Sequence, residues 1–177
     1  LWDIETGQLR QTLPVKSAAA GNLAASADGN WLALTGEDNA ITLWDTRADR
    51  PAGRLTGHTD GINALAFSPD GKILASASRD RTLVLWDLEQ QKIRHHFRAL
   101  DRHTLTVAFS PNGRTLAAGD QDGGIRYIET ATFKELAYSP AHPVAVTALA
   151  FSPDGNWLAS GGMNGFLKLW RTRADTP

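Results

Sequence analysis

His58, Ser76 and Asp80 supply the side-chain types of a nucleophilic hydrolase: a hydroxyl to attack, an imidazole to take its proton, and a carboxylate to orient the imidazole. The surroundings of Ser76 argue against that chemistry. No Gly-x-Ser-x-Gly turn is present to lift the serine onto a nucleophile elbow. His95 and His96 could be read as metal ligands, but neighbouring residues of a strand point to opposite faces. Gly123-Gly124 and Gly161-Gly162 lack the Lys-Ser/Thr ending of a phosphate-binding loop and open no helix. With no Cys in 177 residues, neither a disulfide nor a thiolate metal site can form. The sequence calls for no metal and no cofactor.

The elements that must position these residues recur at a fixed interval. Ser26-Ala27-Asp28-Gly29 returns as Ser68-Pro69-Asp70-Gly71, Ser110-Pro111-Asn112-Gly113 and Ser152-Pro153-Asp154-Gly155, a step of 42 each time (70 − 28, 112 − 70, 154 − 112). Leu43-Trp44-Asp45, Leu85-Trp86-Asp87, Tyr127-Ile128-Glu129 and Leu169-Trp170-Arg171 keep the same interval, and Leu1-Trp2-Asp3 falls on the same grid. A period of this length without insertion marks one supersecondary unit copied and stacked. In the best-formed copy, residues 61–68 are apolar and end in turn chemistry, with Pro presetting φ, Asp bonding nearby backbone and Gly accepting a positive φ. Residues 72–78 read as a second strand, 79–81 as a tight turn, 81–87 as a third strand and 93–97 as a more polar fourth. The inner three strands are apolar on both faces, so each sheet must be covered on both sides. The expected fold is all-β: a propeller with one four-stranded antiparallel blade per period.

At these spacings Gly57-His58, Ser68-Pro69-Asp70-Gly71, Ser76-Ala77-Ser78-Arg79-Asp80 and Leu85-Trp86-Asp87 resemble the WD40 repeat family, in its bacterial form, over essentially the whole chain. The resemblance implies a buried hydrogen-bonded quartet that ties a blade together: His58, Ser76, Asp80 and Trp86 in one copy, and His142, Ser160, Asn164 and Trp170 in another. The first copy keeps Asp38 and Trp44 but has Lys16 and Leu34 in place of His and Ser. The third keeps only Asp122, with Leu100, Ala118 and Ile128 elsewhere, and is expected to lack a network. The resemblance also implies a partner-binding face at the loops into strand one and the turns between strands two and three. On this chain that face carries Glu37, Arg79, Gln121 and Met163, together with Asn63, Leu105, Thr147 and His103. Arg79 is the strongest single anchor among them, since hot spots favour Arg, Trp and Tyr.

In this reading residues 1–13 finish a preceding blade and supply a closing strand near 8–13. Blades follow at 14–56, 57–98, 99–140 and 141–177, the last without its outer strand. The chain opens inside a landmark motif, without an initiator Met, as expected of a segment of a longer protein. Four blades would be spaced by about 90°, whereas two chains would give eight at about 45°, nearer the usual wedge of about 51°. A homodimer closing a ring, or association with further blades of the parent protein, is therefore expected.

The function expected is a non-catalytic protein–protein interaction scaffold, the docking or sensor part of a larger regulatory protein, in the cytoplasm. An enzyme using a propeller's central channel is the alternative. It would need His, Asp, Glu or Tyr on the innermost strands, and residues 61–67, 105–109 and 144–151 carry none. A third possibility is anion or nucleic-acid binding through the basic stretch Lys92 to His103, which reads more simply as a solvated outer strand with charges that discourage edge pairing. A net charge of −1 argues against nucleic acid, and no apolar run reaches the ~18 residues of a membrane span.

Overall fold

A computed structural model of the chain describes residues 2–13, 21–36, 38–98 and 100–172. Among these, all regular structure is β, in four antiparallel sheets. The first sheet holds β1 (Leu23–Ala25), β2 (Trp31–Thr35), β3 (Ile41–Asp45) and β4 (Arg50–Leu55). The second holds β5 (Ile62–Phe67), β6 (Ile73–Ser78), β7 (Leu83–Asp87) and β8 (Lys92–Phe97). The third holds β9 (Thr104–Phe109), β10 (Thr115–Asp120), β11 (Gly124–Glu129) and β12 (Glu135–Pro140). The fourth holds β13 (Val146–Phe151), β14 (Trp157–Gly162) and β15 (Leu167–Arg171). Each is a meander in sequence order.

Turn chemistry sets this order locally. Ser68 Oγ donates to Asp70 Oδ1 at 2.5 Å and accepts from the Ile73 N–H at 2.9 Å, while the Gly71 N–H bonds Ser68 O from a φ of 68°. Only a residue without Cβ adopts that φ cheaply. The turn between a third and a fourth strand is also marked: Asp49, Gln91 and Phe133, spaced by 42 residues, have φ of 52°, 52° and 61°.

Side chains alternate between the faces, so sequence parity decides which neighbour each residue meets. Ile73, Ala75, Ala77, Leu83 and Leu85 of the second sheet pack with Val107, Leu116, Ala118 and Ile128 of the third. Leu74, Val84 and Trp86 pack instead with Ala33, Ile41, Leu43 and Leu55 of the first. The third seam joins Ala117 and Ile125 to Val146 and Leu158. First strands lie side by side, β1 with β5, β5 with β9 and β9 with β13, which gives the radial layout of propeller blades. At Gly119 the approach is tight: a Cβ there would come within 2.7 Å of Val146 Cγ1 and 2.8 Å of Thr106 Cγ2. Asn22 and Asn63 add polar ties, each donating its amide to a backbone carbonyl of the next first strand, Ile62 O and Thr104 O.

The ring is not closed, because no comparable contact joins β13 to β1. Ahead of the first sheet, the described residues 2–13 hold an isolated Trp2–Leu9 bridge. Trp157 is 45% exposed, and Leu167 and Leu169 on the same face are 79% and 70% exposed. The physical reason is that nothing described covers that side of the fourth sheet.

Leu85 and Leu169 occupy the same repeat position with opposite burial. Leu85→Ala should lower unfolding stability by about 2–5 kcal/mol, whereas Leu169→Ala should stay within about 0.5 kcal/mol. Urea denaturation of both variants checks this, and an equally large loss at Leu169 would mean that its face is covered in solution.

Candidate interaction face and the polar networks beneath it

In the second sheet the polar residues converge. His58 Nε2 lies 2.7 Å from Ser76 Oγ, and His58 Nδ1 lies 2.9 Å from Asp80 Oδ2. The Trp86 Nε1–H donates to Ser76 Oγ at 2.7 Å. The Trp86 indole can only donate, so the Ser76 hydroxyl donates in turn to His58 Nε2, and His58 carries its hydrogen on Nδ1, toward Asp80. Thr82 Oγ1 donates to Asp80 Oδ1 at 2.6 Å and the Thr59 N–H to Oδ2 at 3.0 Å. Burial alone would raise the Asp80 carboxyl, but the bonds from Thr82, Thr59 and His58 outweigh it and hold the group below its ordinary value. The polarity matches a hydrolytic triad, yet Ser76 is 0% exposed and its oxygen is engaged on both sides. No substrate carbonyl can approach it.

The fourth sheet holds part of this arrangement. Ser160 Oγ lies 2.8 Å from His142 Nε2 and accepts from Trp170 Nε1 at 2.8 Å. Asn164 is not brought in: its Oδ1 accepts from the Phe166 N–H of its own turn at 3.3 Å, and buried His142 Nδ1 has no partner among the described residues. An exposed amide serving its own turn replaces the carboxylate that reached the ring in the second sheet. In the first sheet Lys16 lies outside the described residues, Leu34 offers no acceptor, and Trp44 Nε1 is buried without a partner among the described residues. Asp38 pairs instead with Arg54.

The third sheet departs most from expectation. Asp122 bonds outward to Arg102 at 2.5 Å, and the buried carboxylate is Asp120. Asp120 accepts from the Asp122 and Gly124 N–H groups at 2.9 Å each and from the Tyr138 hydroxyl at 3.0 Å. A Cβ at Gly124 would strike the Tyr138 hydroxyl, so this glycine makes the room. Arg102 and Arg126 lie over the Tyr138 ring at 5.5 and 5.7 Å. Arg54, His96 and Tyr138 share one outer-strand position, 42 residues apart, so that position closes over the polar centre of each of these sheets. No local signal marks this pair: Tyr138 faces Arg126 in the register and reaches Asp120 across the intervening strand.

The loop face is held by a repeated backbone bond. The N–H of Arg79, Gln121 and Met163 donates to Gly61 O, His103 O and Ala145 O at 2.9, 3.0 and 2.9 Å. All three side chains are exposed, Met163 at 75%. Asn63 is less available, since its Oδ1 accepts from Arg79 Nε at 3.3 Å while its amide holds Thr104 O. Leu105 and His103 are half-buried, and Thr147 is exposed with its hydroxyl 3.4 Å from Gly161 O. Glu37 lies outside the described residues.

Four-stranded meanders packed radially on a constant sequence step define a β-propeller repeat protein. The family described as "WD domain, G-beta repeat" matches residues 7–45, 49–87, 91–128 and 133–171, and the chain belongs to this WD40 family. The windows at 49–87, 91–128 and 133–171 begin at the outer strand of one sheet and end with the third strand of the next, so a sequence repeat bridges two blades. The chain is similar to Nuclear distribution protein nudF of Emericella nidulans, 35% identical over 65 residues, which is 35% of this chain and 14% of that protein. It is similar to Nuclear distribution protein PAC1 of Arthroderma otae, 47% identical over 60 residues, 33% of this chain and 13% of that protein. Both relatives are fungal, so the bacterial affinity implied by the turn motif is not supported by them.

Trp86→Phe removes a donor from Ser76, whereas Trp44→Phe removes one that has no partner among the described residues; thermal unfolding should show the first to cost about 1 kcal/mol more. Burial, with Lys168 beside it, lowers the pKa of His142, and burial, with Arg98 beside it, lowers that of His96. The unfolded chain then binds more protons below about pH 6.5, so stability is full above that value and declines as pH falls further. Urea midpoints measured from about pH 7.5 to 5.5 should fall, and less steeply in His96→Gln.

Proposed function

We propose that the chain is a non-catalytic protein–protein interaction scaffold, the docking or sensor part of a larger regulatory protein in the cytoplasm. The observation that carries this reading is the loop face. Arg79, Gln121 and Met163 project from equivalent turns, each fixed by the same backbone bond to the entry of a first strand. A preformed surface of this kind loses little conformational entropy on binding. The burial of Ser76 supports reading His58, Ser76 and Asp80 as structural. The matched relatives are named as nuclear distribution proteins, not for a reaction.

The blades span 14–56, 57–98, 99–140 and 141–177, and the uncovered face at Trp157, Leu167 and Leu169 is completed by further blades of the parent protein or by a second copy. His58, Ser76, Asp80 and Trp86 act as internal glue for the second blade.

Capture on the immobilised chain, read by mass spectrometry, tests the docking face. Arg79→Glu and Met163→Glu should each reduce recovery of a specific partner by about tenfold, a hot-spot effect. Lys72→Glu, beside the turn between the first and second strands of its sheet, should not. A partner retained by both loop-face variants would sink the assignment.

A further inference from the structure

The turn between the second and third strands of each sheet passes through the left-handed region. Asn39, Arg81, Gly123 and Gly165, spaced by 42 residues, have φ of 59°, 62°, 93° and 81°. Glycine and asparagine tolerate this backbone, whereas a long side chain there carries a conformational cost. At other left-handed positions the side chain makes a contact in return. Gln91 Nε2 donates to Ala52 O at 3.1 Å, and Phe133 stacks on His95 with ring centroids 4.4 Å apart. Arg81 makes no such contact: it is exposed, and its guanidinium has no hydrogen-bond or ion-pair partner among the described residues.

Two further guanidinium groups flank it. Arg79 runs its stem across Gly61, with Cδ 3.6 Å from where a Cβ would stand, and donates from Nε to Asn63 Oδ1 at 3.3 Å. Leu83 pairs with Phe97, and Arg81 O accepts from the Leu100 N–H at 3.1 Å, so Arg98 leaves the outer strand beside the same turn. Arg79 and Arg98 are exposed and make no ion pair among the described residues. Arg54, Arg102 and Arg126, by contrast, are matched to Asp38, Asp122 and Glu135. Asp60, its Oδ1 taken by the Gly61 N–H, and Asp101 lie in the loops into β5 and β9, which confines the positive charge to this turn.

We propose that Arg81, with Arg79 and Arg98, binds an acidic segment of a protein partner, whose carboxylates pair with these exposed guanidinium groups. The inference rests on the loop face as the docking surface and names the chemistry of what docks there. A carboxylate matches the planar fork of a guanidinium. A nucleic-acid backbone calls for a longer positive track than a patch bounded by Asp60 and Asp101 offers. An arginine kept where the other copies hold Asn or Gly, and idle within the chain, points to use outside it.

Fluorescence anisotropy of the whole chain with the fluorescein-labelled peptide Gly-Asp-Glu-Asp-Glu-Gly-amide tests it. A dissociation constant on the order of 0.1 mM is expected at low salt, weakening as salt is raised. Arg81→Gly should cut affinity about fivefold while the fold is kept, since Gly123 and Gly165 already occupy this position, and Arg81→Asn, matching Asn39, should do the same. Arg94→Gln, which removes the same charge from β8, should leave affinity within about twofold. The proposal is overturned by an absence of saturable binding, by an equal loss in Arg94→Gln, or by a labelled oligo-dT strand binding more tightly than the peptide, which would make the face a nucleic-acid surface. A partner whose capture depends on Met163 and is unchanged by Arg81→Gly would overturn it while leaving the docking face intact. Capture indifferent to Arg79→Glu, Met163→Glu and Arg81→Gly alike would remove both readings.

Discussion

Two apolar faces on every sheet, with side chains alternating between them, impose the constraint from which the architecture follows. A sheet of this kind is unstable in water unless both faces are covered, and burying one Leu or Ile is worth about 1.5–3 kcal/mol. Parity divides the work: Leu83 and Leu85 serve the seam with the third sheet, Val84 and Trp86 the seam with the first. Stability therefore belongs to seams between neighbours more than to single sheets, as in other repeat arrays. The fourth sheet marks the limit of that arrangement, with Leu167 and Leu169 facing outward.

Polar side chains enter these seams with different degrees of pairing, and the sheets treat them differently. The second uses His58, Ser76, Asp80 and Trp86 in a chain of directed bonds. The third abandons it and anchors the Tyr138 hydroxyl on Asp120, with Gly124 leaving space for the ring. The first and fourth keep a buried Trp44 Nε1 and His142 Nδ1 without partners among the described residues. Backbone pairing and apolar packing hold the blade in each case, which leaves the polar centre free to vary. The same latitude lets Phe133 stack on His95 in the seam between the second and third sheets.

The fold was legible in the sequence because its determinants are local. Ser68-Pro69-Asp70-Gly71 specifies its turn within four residues, and the near-continuous apolar runs of β6 and β7 mark strands buried on both faces. The expected strands of the second blade lie within a residue or two of those observed. The residues of the loop face were legible for the same reason, being fixed offsets from the turns. The Tyr138–Asp120 bond was not legible, since its partners lie 18 residues apart and meet only through the register of β12 on β11. Nor was the fate of Asn164, where the choice between its own turn and His142 is one of distance.

By itself, then, the chain's order of residues determined the repeat, the strands, the turns and the family, because each depends on interactions spanning a few residues. Only the tertiary structure decided which polar groups are paired, which seams are sealed and which face stays uncovered. Those outcomes depend on how side chains from different repeats fill the space between two sheets, which no short stretch of sequence specifies.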